Sequence, residues 1–415
     1  MLGIVCRRLG LLDEALLNSK RALQIDKGLV AAKMNIANTE LQKSNLETAI
    51  KLLERIVSDE PEYHEAKANL ALAYKSVGQI ARALCVYKKL KFVGVWSQKA
   101  KFNYSTTLVT IGNFKEGWRY YEYRWKVSPL DKVTWPIQDR PLWKGEKGKH
   151  VALWREQGIG DEIICLSLAP EVKKMCDSLS VYVDHRLQAL CKRAMPEINF
   201  VKDVEELQKE ESDYHLPLGS VPGLIRNDIS DFDRTVTGYF KADPQRVEAI
   251  RNELALDDKT VIGISWKSFK SLNQVKKSVQ LRDFERIFSG LDIVLVNLQY
   301  GAVDEEIREF KEVTGIDVVQ CASVDNREDL DGLAALIEVC DLVVSTSNVT
   351  IHMAGALAKE TWALQPHAAN FWWLVERTDS IWYPSLTLYR QPTLDDWDSV
   401  YEAIRNDLQT RLTIT

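Results

Sequence analysis

Residues 341–359 read DLVVSTSNVTIHMAGALAK. The apolar run DLVVST (341–346) predicts a buried strand, and NVTIHMAGALAK (348–359) predicts a helix that follows it directly. A strand that passes into a helix through a short polar turn is the repeating unit of a parallel sheet covered by helices. This stretch therefore predicts an α/β fold for the part of the chain around it.

The same alternation extends over the last two thirds of the chain. One series of strands is predicted at VALWRE (151–156), LSVYVD (179–184), INFVKD (198–203) and YHLPLG (214–219). After a polar helical stretch at 243–258, a second series follows at VIGISW (261–266), DIVLVNLQY (292–300), IDVVQC (316–321), DLVVST (341–346) and TWALQP (361–366). Two such series predict two Rossmann-like domains, with ligands at the carboxyl ends of the strands and the cleft between the domains as the default site.

The first third of the chain repeats every 34 residues. Three columns hold small residues and a fourth is apolar: Gly3, Ala37, Ala71 and Ser105; Gly10, Ser44, Gly78 and Gly112; Ala15, Ala49, Ala83 and Gly117; Leu12, Leu46, Ile80 and Phe114. Each unit predicts two amphipathic helices joined at the Gly/Ser column, with small residues where the helices cross. The array is expected to bind peptide or protein on a curved surface, or else to act as a spacer. Met1 lies inside the first predicted helix, which indicates either a truncated form or a lost capping turn.

Pro129, Pro136 and Pro141 interrupt the period and predict a linker, in which Trp135 and Trp143 are expected to pack against a neighbour. The predicted domains are the repeats at 1–127, the linker at 128–149, Rossmann-like domains at 150–242 and 243–392, and a crossing helix at 393–415.

Composition excludes several classes of protein. The 415 residues carry a net charge of −5, so no basic field indicates nucleic-acid binding. No apolar run is long enough to span a bilayer. Seven scattered cysteines without a CxxC pair are typical of reduced thiols and predict a cytoplasmic location. Neither a zinc-spaced His/Cys cluster nor a GxSxG motif is present, and no metal site is predicted.

Three polar segments follow predicted strands. Gly158 and Gly160 allow a tight turn and close ligand approach, while Asp161 is either a helix cap or a general base. The turn from Ser345 to His352 predicts an anion site for a diphosphate, with helix capping as the alternative. Between 267 and 278, a polar loop carries four lysines whose charge would neutralise phosphate, Lys267, Lys270, Lys276 and Lys277. Solvated surface lysines are the alternative, and it is preferred for Lys270 and Lys276.

The aromatic segment from Trp372 to Trp397 predicts either a stacking platform for a sugar or base, or simple packing of the last helix.

Together, GNFKEGWRYYEYRW (112–125), REQGIGDEI (155–163), VIGISWKS (261–268), VNLQYG (296–301), residues 341–359 and WYPSLTLYRQPTLDDWDSV (382–400) resemble one bacterial group. That group fuses tetratricopeptide repeats to a heptosyltransferase-like glycosyltransferase domain, and it is distantly similar in architecture to O-GlcNAc transferase. The resemblance implies a tetratricopeptide α-solenoid followed by a GT-B fold, with the donor nucleotide bound mainly by the second Rossmann-like domain and no obligatory metal.

The resemblance also implies roles for single residues. Asp161 matches the proposed catalytic base of heptosyltransferases, Lys277 matches their phosphate-contacting lysine, and His352 matches a histidine of the same helix. Ser347 and Asn348 stand where that family has an Asp-Thr pair, so the donor is not identified. Gly158, Gly160, Lys267, Ser347, Asn348, Thr350 and His352 complete the predicted nucleotide-sugar site, without a further cofactor.

The sequence thus predicts an inverting, metal-independent glycosyltransferase that takes a nucleotide sugar as donor. Its acceptor is predicted to be a protein or peptide held in the groove of the repeats. A non-catalytic adaptor with a pseudo-glycosyltransferase domain, and a sugar-nucleotide epimerase on the same fold, are the alternatives.

Overall fold

The computed structural model describes residues 1–234, 237–256, 259–268 and 278–414. The chain forms two compact units, Met1–Lys132 and Val133–Thr415, and each is described by itself. The first unit is helical and consists of α1 (Leu2–Arg8), α2 (Leu12–Ile25), α3 (Val30–Gln42), α4 (Leu46–Asp59), α5 (His64–Ser76), α6 (Ile80–Val93), α7 (Gln98–Thr110) and α8 (Phe114–Tyr121), followed by 3-10 turns at Glu122–Lys126 and Leu130–Lys132.

Two of the three small-residue columns lie where helices cross, as predicted. Ala15, Ala49 and Ala83 have no exposed surface. A Cβ atom at Gly117 would come within 2.6 Å of the Val109 side chain, so only glycine permits the approach of α8 to α7. The first helices of successive pairs also contact one another, α1 with α3, α3 with α5 and α5 with α7. The unit is therefore a continuous stack of helical pairs.

The Gly/Ser column forms the turns between paired helices. Gly10, Gly78 and Gly112 have φ values of 81°, 77° and 77°, in the left-handed region that glycine adopts without cost. Ser44 takes the same conformation, with φ of 64°. An L-residue with a side chain pays about 1–2 kcal/mol there. Position 44 is therefore the strained member of the column.

We expect Ser44→Gly to raise the free energy of unfolding of the helical unit by about 1 kcal/mol, because the substitution relieves this strain. The matched variant is Gly112→Ser, which places a serine in the same conformation with no steric clash and should lower stability by a similar amount. Urea denaturation of the full chain followed by circular dichroism measures both. Equal midpoints for the three proteins would contradict the assigned turn geometry.

The second unit begins with a parallel sheet in the strand order β3-β2-β1-β4. Its elements are β1 (His150–Trp154), α9 (Ile159–Leu166), α10 (Ala169–Met175), β2 (Ser178–Tyr182), α11 (Gln188–Ala194), β3 (Asn199–Val201), α12 (Val204–Lys209), β4 (Tyr214–Pro217) and α13 (Pro222–Ile225), with 3-10 turns at His185–Leu187, Leu218–Ser220 and Ile229–Arg234. Two helices, α9 and α10, follow β1.

The predicted linker packs on the edge of this sheet. The Trp143 N–H donates to the His215 carbonyl at 2.9 Å, and the His215 N–H donates to the Pro141 carbonyl at 3.1 Å. Trp143 is 1% exposed, and the Trp135 ring lies 5.4 Å from the ring of Trp154. Both tryptophans are therefore packed, as the sequence predicted, and the segment after Lys132 belongs to the second unit.

A second parallel sheet has the strand order β10-β9-β8-β5-β6-β7. Its elements are α14 (Pro244–Leu254), β5 (Thr260–Ser265), α15 (Glu285–Phe288), β6 (Ile293–Asn297), α16 (Asp304–Thr314), β7 (Val318–Val319), α17 (Leu330–Val339), β8 (Leu342–Thr346), α18 (Val349–Ala356), β9 (Thr361–Gln365), β10 (Leu386–Arg390) and α19 (Asp398–Ile414), with 3-10 turns at Leu281–Phe284 and Phe371–Trp373. In the described part of the chain, no helix combines the length and apolarity needed to cross a membrane.

The predicted fold class is confirmed: helical pairs precede two Rossmann-like sheets. Two details differ from the sequence prediction. The strand predicted at 316–321 is only Val318–Val319, and the unpredicted strand β10 runs through the aromatic segment. On one face of the second sheet, Leu364, Ile404 and Leu408 share an apolar core, so α19 packs against this domain.

Candidate functional site

A cavity of about 730 Å³ lies between the carboxyl ends of the two sheets. This is the edge at which open α/β sheets bind ligands. The first sheet contributes Gly158, Ile159, Gly160, Asp161, His185 and Arg186, and the second contributes Ser268, Tyr300, Gly301, Ala302, Asn326, Arg327, Glu328, Leu330, Ser347, Asn348, Val349, His352, Asn370 and Trp372. Six residues of the predicted site therefore line one cavity: Gly158, Gly160, Asp161, Ser347, Asn348 and His352.

Asp161 lies in the first turn of α9. The N-cap residue of α9 is Gly158. The alternative prediction, that Asp161 caps this helix, is therefore wrong. One carboxylate oxygen accepts a hydrogen bond from the Trp372 indole N–H at 2.9 Å, across the cleft from the first sheet to the second. A carboxylate has about four lone-pair sites, so Asp161 retains the capacity to accept a proton from a hydroxyl group in the cavity.

A charge network behind Asp161 fixes the first turn of α9. The neighbouring Glu162 is 2% exposed; it pairs with Arg155 at 2.8 Å and accepts the Asp184 N–H at 2.8 Å. Burial raises the pKa of Glu162 to about 7, against the opposing charge of Arg155. Burial also disfavours the charged form of Asp184, yet hydrogen bonds from Arg186 and the charge of Arg155 hold the pKa of Asp184 well below its usual range. These contacts hold Glu162, and therefore Asp161, in place.

Helix α9 of the first sheet packs directly on α18 of the second. A Cβ atom at Gly160 would lie 2.8 Å from the His352 ring, which is too close for any side chain. The His352 ring stacks on Trp373 with centroids 5.3 Å apart, and its Nδ1 is 3.1 Å from the Tyr383 hydroxyl. His352 is therefore held from three sides, and Gly160 serves the contact between the two helices.

We expect Gly160→Ser to destabilise the second unit by about 1–3 kcal/mol, because the added side chain overpacks the contact with His352. Gly158→Ser is the matched control. Its Cβ would meet only the Asp161 carboxylate at 3.5 Å, and serine is favoured at a helix cap. Thermal unfolding should show a lower transition temperature for Gly160→Ser alone. An equal decrease of the transition temperature in both variants would show that Gly158, like Gly160, lies at a contact too close for a side chain.

The turn before α18 is tied to its surroundings by side-chain hydrogen bonds. The Ser347 hydroxyl accepts from the Trp373 indole N–H at 2.9 Å. Asn348 is the cap residue: its amide oxygen accepts the Thr350 N–H at 2.9 Å, and its amide nitrogen donates to the Ser265 hydroxyl at 2.7 Å. The capping alternative is therefore what the structure shows for Asn348, and the same bonds fix the turn beside the cavity.

Two predicted ligand residues are engaged away from the cavity. Thr350 is fully buried, and its hydroxyl donates to the Leu298 carbonyl at 3.4 Å. The Lys267 ammonium forms an ion pair with Glu306. Their role in binding a donor stays a prediction that side-chain placement does not support. Lys270, Lys276 and Lys277 lie outside the described residues.

Sequence reasoning missed Arg186. It follows β2 and lines the cavity, and its guanidinium pairs with Asp184 and donates to the Arg327 carbonyl of the second sheet at 3.1 Å. The only available signal was its place just after a predicted strand. Among the described residues, no group of three or more His, Cys, Asp or Glu side chains is arranged to hold a metal ion.

The chain is similar to Protein FlbA of Caulobacter vibrioides. The two are 27% identical over 363 residues, which cover 81% of this chain and 60% of FlbA, so the chain spans about 60% of the length of that relative. No family model matches the chain.

Two solved structures are also similar to parts of the chain. A glycosyl transferase family 9 from Veillonella parvula DSM 2008 is 12% identical, with a TM-score of 0.44 over 65% of this chain and 99% of that one. YrrB, a TPR protein with an unusual peptide-binding site, is 17% identical, with a TM-score of 0.26 over 31% of this chain and 66% of its own.

Proposed function

We propose that the protein is an inverting glycosyltransferase that moves a sugar from a nucleotide-sugar donor to an acceptor hydroxyl. The observation that carries the proposal is the pairing of two features across one cavity: the Asp161 carboxylate from the first sheet, and the N-terminal turn of α18 from the second. A carboxylate facing the amino end of a helix across a gap fits a reaction in which a hydroxyl loses a proton while an anionic group departs.

In the proposed reaction, Asp161 accepts the proton of the acceptor hydroxyl as its oxygen attacks the anomeric carbon. The new carbon–oxygen bond forms as the bond from that carbon to the diphosphate breaks, and the nucleoside diphosphate leaves with the electron pair. The positive end of the α18 dipole and the backbone N–H groups of its first turn stabilise the negative charge on the leaving group. Arg186 lines the same cavity but is paired with Asp184, and Lys277 is proposed to supply a cation by resemblance.

We expect Asp161→Asn to lower the rate of sugar transfer by about 10²–10⁴-fold, because an amide cannot accept the proton. The affinity for nucleoside diphosphate, measured by calorimetry, should stay nearly unchanged. Asp379→Asn is the control, because Asp379 is an exposed carboxylate that pairs with Arg377 and does not line the cavity. The assay is transfer of a labelled sugar to protein.

Near-normal turnover in a folded Asp161→Asn protein would show that Asp161 is not the general base and only bonds Trp372. If the unaltered protein binds nucleotide but neither transfers nor hydrolyses the donor, the adaptor alternative replaces the enzyme. Epimerisation of a nucleotide sugar in the absence of an acceptor would instead favour the epimerase alternative.

We further propose that the helical pairs present a protein acceptor. Two asparagines, Asn69 and Asn103, lie 34 residues apart at the same position of α5 and α7, and both are partly exposed. The Asn69 amide nitrogen donates to the Asn38 amide oxygen at 2.7 Å, which orients the side chain. An amide side chain offers both a donor and an acceptor, so a row of them matches the backbone of an extended peptide.

Replacing Asn69 and Asn103 together by Ala should lower sugar transfer to the protein acceptor by about tenfold, since each lost hydrogen bond contributes about 0.5–1.5 kcal/mol. Donor hydrolysis should not change. Asn18→Ala is the control, because Asn18 lies on α2, the second helix of its pair, where its amide bonds the Glu14 carbonyl. Unchanged transfer by the double variant would favour a spacer role for the helical unit.

A further inference from the structure

A second cavity, of about 580 Å³, lies at the carboxyl edge of the first sheet. It is enclosed by the last residues of β1 and β2, by α12 and by the segment 133–140 that precedes the sheet. Open α/β proteins bind ligands at this edge, and the volume is in the range typical of ligand sites. The proposed reaction makes no use of the second cavity.

The inner lining of the second cavity is apolar and mostly aromatic. Trp154 and Tyr182 are register partners at the ends of β1 and β2, so their side chains lie on the same face of the sheet. The Trp135 ring lies 5.4 Å from the Trp154 ring, and α12 contributes Val204. Trp154 and Ile137 are buried, whereas three other lining residues are exposed, Thr134, Gln138 and Asp139. An apolar interior with a polar rim is the pattern of a recognition pocket.

Several N–H donors of the lining are already bonded within the protein. The Trp154 indole donates to the His215 Nδ1 at 3.0 Å, and the Gln208 amide nitrogen donates to the Pro136 carbonyl at 2.8 Å. The Arg140 guanidinium donates to the Gln208 carbonyl at 2.9 Å. Each sugar hydroxyl that leaves water needs a new partner, and donors that are already bonded cannot supply one. An apolar ring needs none, so the lining favours an apolar ring over a sugar.

Arg155 favours an aromatic ring over an aliphatic chain. Its Nε pairs with Glu162 and its Nη1 pairs with Asp184, each at 2.8 Å, and 28% of its side chain stays exposed. These bonds lie in the plane of the guanidinium. The contact that they leave open is stacking of the flat guanidinium on a ring, and the positive charge is attracted to an aromatic face.

The second cavity adjoins the cavity of the proposed reaction. Asp184 pairs with Arg155, which lines the second cavity, and with Arg186, which lines the reaction cavity, at 2.8 Å in both cases. One carboxylate therefore joins the linings of the two cavities. Arg155 also pairs with Glu162, the neighbour of Asp161 in α9. A polypeptide that fills the second cavity thus lies next to the turn that carries the proposed base.

We propose that the second cavity binds an aromatic side chain of the acceptor polypeptide. The guest ring packs against Trp135, Trp154 and Tyr182, and Arg155 stacks on it. The cavity thereby selects acceptor hydroxyl groups that have an aromatic residue close by. Assigning the ring to the acceptor rests on the proposed function, whereas the binding of an aromatic ring does not.

The binding experiment uses the full chain labelled with fluorotryptophan and observed by fluorine NMR. The Trp135 resonance is identified by its absence from the spectrum of Trp135→Phe. We expect N-acetyl-tyrosinamide to shift this resonance in a saturable manner. N-acetyl-leucinamide should bind at least about tenfold more weakly, because it offers no ring for stacking. Methyl glucoside should leave the resonance unchanged.

Two variants connect the cavity to sugar transfer. Val204→Phe fills the cavity, and Trp135→Ala removes one of its rings. Each should weaken the affinity for N-acetyl-tyrosinamide, measured by calorimetry, and lower sugar transfer to protein by about tenfold. Val313→Phe is the matched control, because Val313 is 63% exposed on α16 and does not line the cavity. Melting temperatures show whether each variant is folded, and Trp135→Ala carries the test if Val204→Phe is not.

The Trp135 resonance provides the first decision. No shift with N-acetyl-tyrosinamide, or equal binding of N-acetyl-leucinamide, would overturn the aromatic pocket. Binding of methyl glucoside alone would replace it by a sugar site. Unchanged affinity for N-acetyl-tyrosinamide in folded Val204→Phe and Trp135→Ala proteins would place the probe elsewhere and overturn the proposal as well.

Sugar transfer provides the second decision. If both variants lose the probe but transfer sugar to protein normally, the ring does not come from the acceptor. A protein that binds the probe at Trp135 yet transfers no sugar keeps the aromatic pocket and loses the proposed reaction.

Discussion

The architecture of the second unit depends on the contact between α9 and α18. Each of these helices starts at the carboxyl end of a central strand, so packing one on the other brings together the ligand-binding edges of both sheets. The contact is possible because Gly160 presents no side chain to the His352 ring. Asp161, held by Trp372, and the turn that Asn348 caps both line the cavity next to this contact. A single missing side chain therefore permits the contact between the two helices.

Much of the fold could be predicted because each repeating pattern has a local cause. The 34-residue period is visible in the sequence because small residues are required both at helix crossings and at left-handed turns. Ser44 shows that a serine can replace glycine at such a turn, with some backbone strain. The parallel sheets are visible since each strand is an apolar run followed by a helix. Strand β10 was missed because only Leu386 and Leu388 of its five residues are buried, and aromatic residues dominate the segment before it.

The candidate site was predicted less completely, because sequence position fixes which turn a residue occupies but not where its side chain is bonded. Asp161 and Ser347 were placed at the cleft by their positions after strands, and His352 by the family resemblance; all three line the cavity. Thr350 occupies the same turn and is buried, while Lys267 is drawn to Glu306, an acid 39 residues later in the chain. Conversely, Arg186 lines the cavity although no motif of the sequence includes it.

Two buried glutamines illustrate how hydrogen bonds are distributed over the second sheet. Gln299, just beyond β6, saturates its amide with backbone and hydroxyl partners and so fixes the loop after β5. Gln365, at the end of β9, is equally buried, and its side-chain amide bonds none of the described residues. Both sit at the sheet edge where ligands bind, so residue type and location do not account for the difference. What distinguishes them is the neighbour: Gln365 is the register partner of Arg390, which lacks a carboxylate partner in the described chain. Among the described residues, Gln299 therefore gains hydrogen bonds that stabilise its loop, whereas the side-chain amide of Gln365 gains none.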